Sequence, residues 1–231
     1  MPGVIGVPCS EQGRWSAFWG NLCDLDRPPG TRVIPGRGSS AAANRNLIAR
    51  LALDWGAEWV FWLDDDLTFG TDTLMRLLRH DVPVVVGLSV QRHADFEPLW
   101  LHTNVSAASA FYPQPPATSR ADGLVPLAAC TSGGMLTRRS ALEAVGGPYW
   151  WTLGKHGAPD QWCDDLDFCR QLTEAGVPIY GDPSVRLGHI SHIELWPHQM
   201  PDGQWVTVIR DRAGDVITYR PMPQAQAAVS A

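Results

Sequence analysis

Lysine is almost missing from this chain: Lys155 is the only one among 231 residues. That removes the Lys-bearing glycine-rich loop with which many phosphate-transfer enzymes cradle a nucleoside triphosphate. Cysteine is sparse as well. The five present (Cys9, Cys23, Cys130, Cys163, Cys169) are odd in number and form no C-x-x-C pair, which argues against a disulfide framework or a zinc site and for reduced thiols in a cytoplasm. No apolar run approaches the roughly 18–20 residues that span a bilayer. The start, "MPGVIGVPC", lacks a basic region ahead of its short apolar stretch, so no secretory signal is expected. Positive charge is short overall. A formal charge of −6 speaks against a sequence-independent grip on nucleic acid, which rests on Lys and Arg neutralising phosphates. Arg138-Arg139 reads as a solvated helix face, and the glycosylation pattern Asn104-Val105-Ser106 carries little weight without a secretory signal.

Apolar residues make up 45% of the chain, enough for one large buried core. "GVIGVP" reads as a first strand ended by Pro8, and "CSEQGRW" as a polar loop able to meet a ligand. "WSAFWGNLCDL" reads as a helix with Trp15, Phe18, Trp19 and Leu22 on one face. A short strand is expected near residues 31–34, and a second helix over "AAANRNLIARLALDWG", with Leu47, Ile48, Leu51 and Trp55 as its apolar stripe and Gly56 as its stop. Thr71 is placed to cap a helix burying Leu74, Leu77 and Leu78. "VPVVVGL" reads as another buried strand. Residues 91–128 read as irregular. "CTSGGMLTRRSALEAVGG" combines a short strand, a double glycine and a short helix ending at Gly146. "DDLDFCRQLTEAGVPIYGD" reads as a helix stopped by Gly176 and followed by a strand. "SVRLGHI" reads as one more strand, and "QWVTVIRDRAGDVITYR" as a hairpin turning at residues 213–215. Strands alternating with helices imply an α/β domain. The expected layout is a catalytic domain over residues 1–200, a C-terminal β-hairpin over 201–220 and a disordered tail over 221–231.

The junction "EWVFWLDDDLTFG" is the most informative stretch. Trp59 to Leu63 do not alternate, so both faces of the segment are expected to be buried, as in an inner strand of a parallel sheet. Ligands of open α/β sheets gather beyond the carboxyl ends of such strands. Asp64, Asp65 and Asp66 stand there and would repel one another unless a cation held them, which points to a divalent metal and a phosphate ester. The plain alternative is a solvated acidic turn.

This strand with its acidic end, the upstream "NRN" helix, the later Ser-Gly-Gly, the acidic pair opening "DDLDFCRQ" and the "GHI" near residue 190 occur in one order. Together, over residues 3–192, the chain resembles small GT-A fold glycosyltransferases, similar to family 2 enzymes and their bacterial and phage relatives. The resemblance implies a mostly parallel sheet flanked by helices and a nucleoside-diphosphate sugar as donor. It implies Mn²⁺ or Mg²⁺ as cofactor, with Asp66 as a direct ligand, Asp64 as a ribose-side or water-mediated one, Asp65 sharing either role, and His189 completing the set. His192 is the next candidate ligand, and a core histidine bonded to a carbonyl is the alternative for His189. Pro8, Cys9, Ser10 and Glu11 would hold base and ribose, and Arg45 would face the donor, with a surface arginine as its alternative.

The same resemblance makes Asp165 the general base that deprotonates an acceptor hydroxyl. Asp164 beside it stands where relatives usually carry Glu, which leaves its role open. Both acids would also suit a helix start, and Asp167 reads as first-turn surface charge. Gly133 and Gly134 would admit a sugar or acceptor close to the backbone. Trp162, with Trp150 and Trp151, could stack on a pyranose. Cys163 and Cys169 read as small core residues. The expected reaction is sugar transfer to a hydroxyl acceptor (a glycan, small molecule, lipid-linked sugar, protein or modified nucleobase), with inversion. A nucleotidyltransferase and a noncatalytic carbohydrate-binding domain are the alternatives.

Overall fold

A computed structural model describes residues 1–9, 15–38, 40–92, 96–103, 110–118, 120–152, 163–191, 194–210 and 216–221. The unalternating segment forms strand β3 (Trp59–Trp62), buried at every position. It pairs in parallel with β1 (Gly3–Val7), and β1 pairs in parallel with β2 (Arg32–Pro35) on its other side. On its far side β3 meets β9 (Met135–Arg138), which runs antiparallel to it and to β5 (Val84–Leu88). The long strand β10 (Ile179–Ile190) lies parallel to β5. From β10 the sheet continues antiparallel through β11 (Glu194–Gln199), β12 (Trp205–Arg210) and β13 (Val216–Pro221), the last two forming the expected C-terminal hairpin. Residues 211–215, where its turn was expected, and 222–231 lie outside the described residues.

Residues alternate across the sheet, so two apolar layers form. Val60, Trp62, Val84, Val86 and Met135 pack with Ile48, Leu142 and Phe168 on one face. Phe61, Leu63, Val85 and Leu136 pack with Phe18, Leu22, Leu74 and Leu77 on the other. Helices α2 (Ala41–Asp54), α4 (Arg139–Val145) and α5 (Asp164–Glu174) thus cover the first face, and α1 (Ser16–Asp24) and α3 (Thr73–Leu78) the second. No helix among the described residues is long and apolar enough to cross a membrane.

Helix α2 corrects the sequence reading. Leu47 and Leu51 are 39% and 41% exposed, while the buried face carries Ala42, Asn44, Arg45, Ile48, Ala49 and Ala52. The cause is close approach: a Cβ on Gly6 of β1 would lie 2.8 Å from Ile48 Cγ2, so small side chains face the sheet and the large ones are left outside. The stop at Gly56 is as expected, with φ at +81°.

Other differences are smaller. Helix α3 starts at Thr73 after Asp72 rather than at a Thr71 cap, and no side chain caps it. Strand β4 (Leu67–Phe69) follows the acidic turn unannounced and pairs with the end of β10. In the stretch read as irregular, β6 (Trp100–Leu101) pairs with β8 (Ala129–Cys130), and β7 (Val125–Leu127) pairs with the start of β10. The two strands expected over residues 179–190 are one, with a register shift between Asp182 and Arg186 that accommodates Pro183.

The rotated face of α2 is directly testable. Ile48→Ala should cost about 2–5 kcal/mol, whereas Leu51→Gln should stay within about 0.5 kcal/mol of wild type. Urea unfolding of both variants checks this, and the reverse order would restore the stripe read from sequence.

Candidate functional site

The carboxyl ends of β1 and β3, the amino end of β9 and the tip of β10 meet at one edge of the sheet, and the candidate residues lie there. Asp64 stands two residues past β3 in a turn closed by the Leu67 amide on the Asp64 carbonyl (3.2 Å). Arg45 approaches from α2, only 4% exposed. Its Nη2 donates to Asp64 Oδ1 at 2.8 Å and its Nη1 to Asp164 Oδ2 at 2.7 Å, and Nη1 also lies 3.1 Å from Asp165 Oδ1. Burial works against the charge of Arg45, yet the carboxylates, Asp165 foremost, outweigh it and hold the guanidinium above its ordinary range. Burial and then the charge of Asp165 push the Asp164 carboxyl upward in spite of Arg45.

Arg45 is therefore neither a surface arginine nor, in this arrangement, one with a free fork for phosphate, because both terminal nitrogens are engaged by acids. The acids at the start of α5 do not cap it either. Its N-cap is Cys163, without a side-chain cap bond, and the carboxylates turn to Arg45 instead.

Asp165 Oδ1 also accepts from Ser132 Oγ at 2.6 Å, and Ser132 Oγ accepts from Trp151 Nε1 at 3.0 Å. Asn46 holds the backbone of Trp151 at both ends, donating to its carbonyl (2.6 Å) and accepting from its amide (3.0 Å). Asn44, one helix position before Arg45, donates to the Cys9 carbonyl at 2.8 Å and so ties the loop after β1 to α2. Pro8 and Cys9 lie buried at this edge; Ser10 and Glu11 lie outside the described residues.

Asp66 faces the other way. Its Oδ2 lies 2.9 Å from Arg92 Nη1 and 3.7 Å from His189 Nε2. Burial raises the Asp66 carboxyl, but His189 and then Arg92 outweigh it and leave it below the ordinary carboxylate range. His189 Nδ1 sits 2.9 Å from the Val90 carbonyl. A carbonyl can only accept, so Nδ1 carries a proton and Nε2 is the ring nitrogen turned toward Asp66.

The crowding expected of the triplet is thus relieved by guanidinium groups: Arg45 takes Asp64, and Arg92 takes Asp66. Among the described residues no three His, Cys, Asp or Glu side chains gather as a ready metal site. Asp64 therefore does not join Asp66 and His189 in a preformed ligand set. Asp65 belongs to the same turn, with Oδ2 buried, and His192 lies outside the described residues.

Gly133 leaves room for Asp64, whose Oδ2 would be 3.0 Å from a Cβ there, and Gly134 has φ at +81° with Leu187 pressed against it. Trp150 and Trp151 are 4% and 1% exposed. Trp151 stacks on Phe168 at 4.1 Å between centroids and stands edge-on to Trp62, so these rings offer no platform to a sugar. Trp162 lies outside the described residues. Asp167 is buried rather than surface charge, bonded to Thr152, Arg170 and Gln171. Cys169 is buried as expected, and Cys163 is exposed. Sequence reasoning missed Arg92 and the partners of Ser132 and Asn46, although Ser132 stood out beside the double glycine and Asn46 in the "NRN" helix as a residue that could cap or orient its segment.

An antiparallel β9 lies between parallel β3 and β5, with acids and a histidine at the carboxyl edge, and the fold is GT-A-like, as the sequence resemblance implied. No family model and no curated protein matches the chain. Among solved structures it is similar to A197 from STIV at 12% identity, over 100% of this chain and 99% of that one, with a TM-score of 0.53. It also aligns with S. aureus TarS 1-349 in complex with UDP-GlcNAc, at 12% identity over 78% of this chain and 55% of that one (TM-score 0.44). A third alignment is with the nucleoside-diphosphate-sugar pyrophosphorylase from Vibrio cholerae RC9, at 11% identity over 79% and 72% (TM-score 0.33).

Removing Arg45 leaves Asp164 and Asp165 buried side by side without their cation. Arg45→Met should lower stability at neutral pH by about 3–5 kcal/mol, measured by chemical denaturation. A loss below about 1 kcal/mol would mean that the cluster behaves as a solvated surface pair.

Proposed function

We propose that this chain is a glycosyltransferase that moves a sugar from a nucleoside-diphosphate donor to a hydroxyl acceptor, with Asp165 as general base. The observation that carries this reading is the placement of Asp165. It is a nearly buried carboxylate whose Oδ1 is fixed by Arg45 and Ser132, at the sheet edge where open α/β folds receive ligands. A base needs position first and a matched pKa second.

In the proposed step the acceptor O–H proton passes to Asp165. The acceptor oxygen bonds to the anomeric carbon, and the bond from that carbon to the diphosphate oxygen breaks, its electron pair leaving with the nucleoside diphosphate. Attack from the face opposite the leaving group inverts the anomeric centre.

The charge balance supports a cation at this site. Three carboxylates share the single guanidinium of Arg45, so a diphosphate approaching this edge meets excess negative charge. The donors that remain suit a hard divalent ion such as Mn²⁺ or Mg²⁺, which keeps waters and substrate oxygens among its ligands and needs few protein groups. Asp66 Oδ2 and His189 Nε2 would hold it. The hydrogen bond from His189 Nδ1 to Val90 orients the ring in the way that partners behind a metal ligand do. Arg92, 46% exposed in its side chain, is free to swing from Asp66 toward a phosphate. Such an ion, when bound, offsets charge on the departing diphosphate. Pro8, Cys9 and the Asp64–Asp65 turn are the proposed nucleotide contacts, and Gly133, Gly134 and Asp164 border the acceptor side.

The test is incubation with a panel of nucleoside-diphosphate sugars and hydroxyl acceptors in the presence of Mn²⁺, with release of nucleoside diphosphate as readout. Asp165→Asn should lower kcat by about 10²- to 10⁴-fold with donor affinity little changed, and chelation should abolish turnover. Pyrophosphate release from a nucleoside triphosphate and a sugar phosphate would identify a nucleotidyltransferase instead. Sugar binding with no turnover, unaltered by Asp66→Ala, would identify a binding domain.

A further inference from the structure

We propose that Ser132 is a positioning residue, the last link before the base in a buried chain running Asn46, Trp151, Ser132, Asp165, that fixes which oxygen of Asp165 receives the acceptor proton. The inference rests on the glycosyltransferase reading of this site and adds to it how the base is aimed. Ser132 has no exposed surface, and Trp151 is almost as fully buried. The indole has one donor and no acceptor, and it spends that donor on Ser132 Oγ. A carboxylate oxygen only accepts, so the hydroxyl turns its own proton to Asp165 Oδ1. The indole cannot shift, because Asn46 grips its backbone and Phe168 and Trp62 enclose its ring.

Arg45 Nη1 approaches the same oxygen. Oδ1 is thus engaged from two sides, by a neutral donor and by a cation, and Oδ2 is left as the oxygen that takes the proton. A carboxylate free to rotate would offer either oxygen in turn, and misaiming by about 1 Å can cost up to a hundredfold in rate. Asn46 and Arg45 are neighbours on α2, so one helix aligns both holders of the base.

The experiment compares Ser132→Ala, Ser132→Thr and Asp165→Asn with the double variant Ser132→Ala/Asp165→Asn. The readouts are kcat and donor KM, together with crystal structures of wild type and Ser132→Ala. Ser132→Ala should lower kcat about ten- to hundredfold with donor KM within about threefold, since the donor contacts lie elsewhere. Ser132→Thr, which keeps the hydroxyl, should recover most of the rate. In the Asp165→Asn background the Ser132→Ala change should add no further loss, because the two act as a unit. In the crystal, the Asp165 carboxylate of Ser132→Ala should be rotated or split between two orientations. Wild-type turnover itself bears only on the glycosyltransferase reading, and the carboxylate orientation is seen whether or not a donor has been found. An unmoved carboxylate, an unchanged kcat or simple additivity of the two losses would overturn the proposal.

Discussion

The site depends on one buried cation. Arg45 joins the end of β3, through Asp64, to the start of α5, through Asp164 and Asp165, segments that lie 19 and 119 residues from it in sequence. Such clusters are poor investments in stability, since desolvating the ions consumes most of what their attraction returns. The raised carboxyl of Asp164 shows the imbalance: one guanidinium does not fully offset the burial and crowding of these acids. What the cluster secures is geometry. With Arg45 between them, the turn after β3 and the first turn of α5 are held at a fixed separation, and the chemistry proposed for this edge needs that spacing.

The same residue explains why the sequence misled on α2. Ranking positions by hydrophobicity selected Leu47 and Leu51 as the inner stripe, and they are outside. The inner face carries Ala42, Ala49 and Ala52 because the helix lies close against Gly6 of β1, and it carries Asn44 and Arg45 because their partners are there. Local patterning failed where polar groups were buried for the sake of a site, which is where such failures are expected. The boundaries of α2 were legible nonetheless, since Gly56 and the helix-forming composition are local signals.

What was readable elsewhere follows the same division. Strand β3, the acids of α5 and the closing hairpin each announce themselves within about twenty residues of sequence. Strands β4, β6 and β7 did not, for they are two or three residues long and exist only through partners far along the chain, such as Leu67 paired with His189. Asp167 was misjudged for a related reason: its partners Arg170 and Gln171 lie on its own helix face, but Thr152 arrives from another segment. Ser132 could be noticed beside its glycines, yet nothing local joined it to Trp151 or Asp165.

The split of the aspartate triplet follows from strand register. In an extended strand residues two apart share a face, but the Leu67 amide on the Asp64 carbonyl closes a turn across Asp65 and Asp66, so Asp64 and Asp66 meet different partners. Asp64 is turned toward α2, and Asp66 is brought to His189 because β4 pairs with β10 so that Leu67 faces His189 and the Ile190 amide donates to the Asp66 carbonyl at 2.7 Å. A slip of one residue in that pairing would send His189 to the opposite face of the sheet. The register shift between Asp182 and Arg186 stands upstream of this contact. It lets β10 run alongside β5 for its first half and meet β4 in its second, so a single irregularity around Pro183 sets which side of the sheet the imidazole serves.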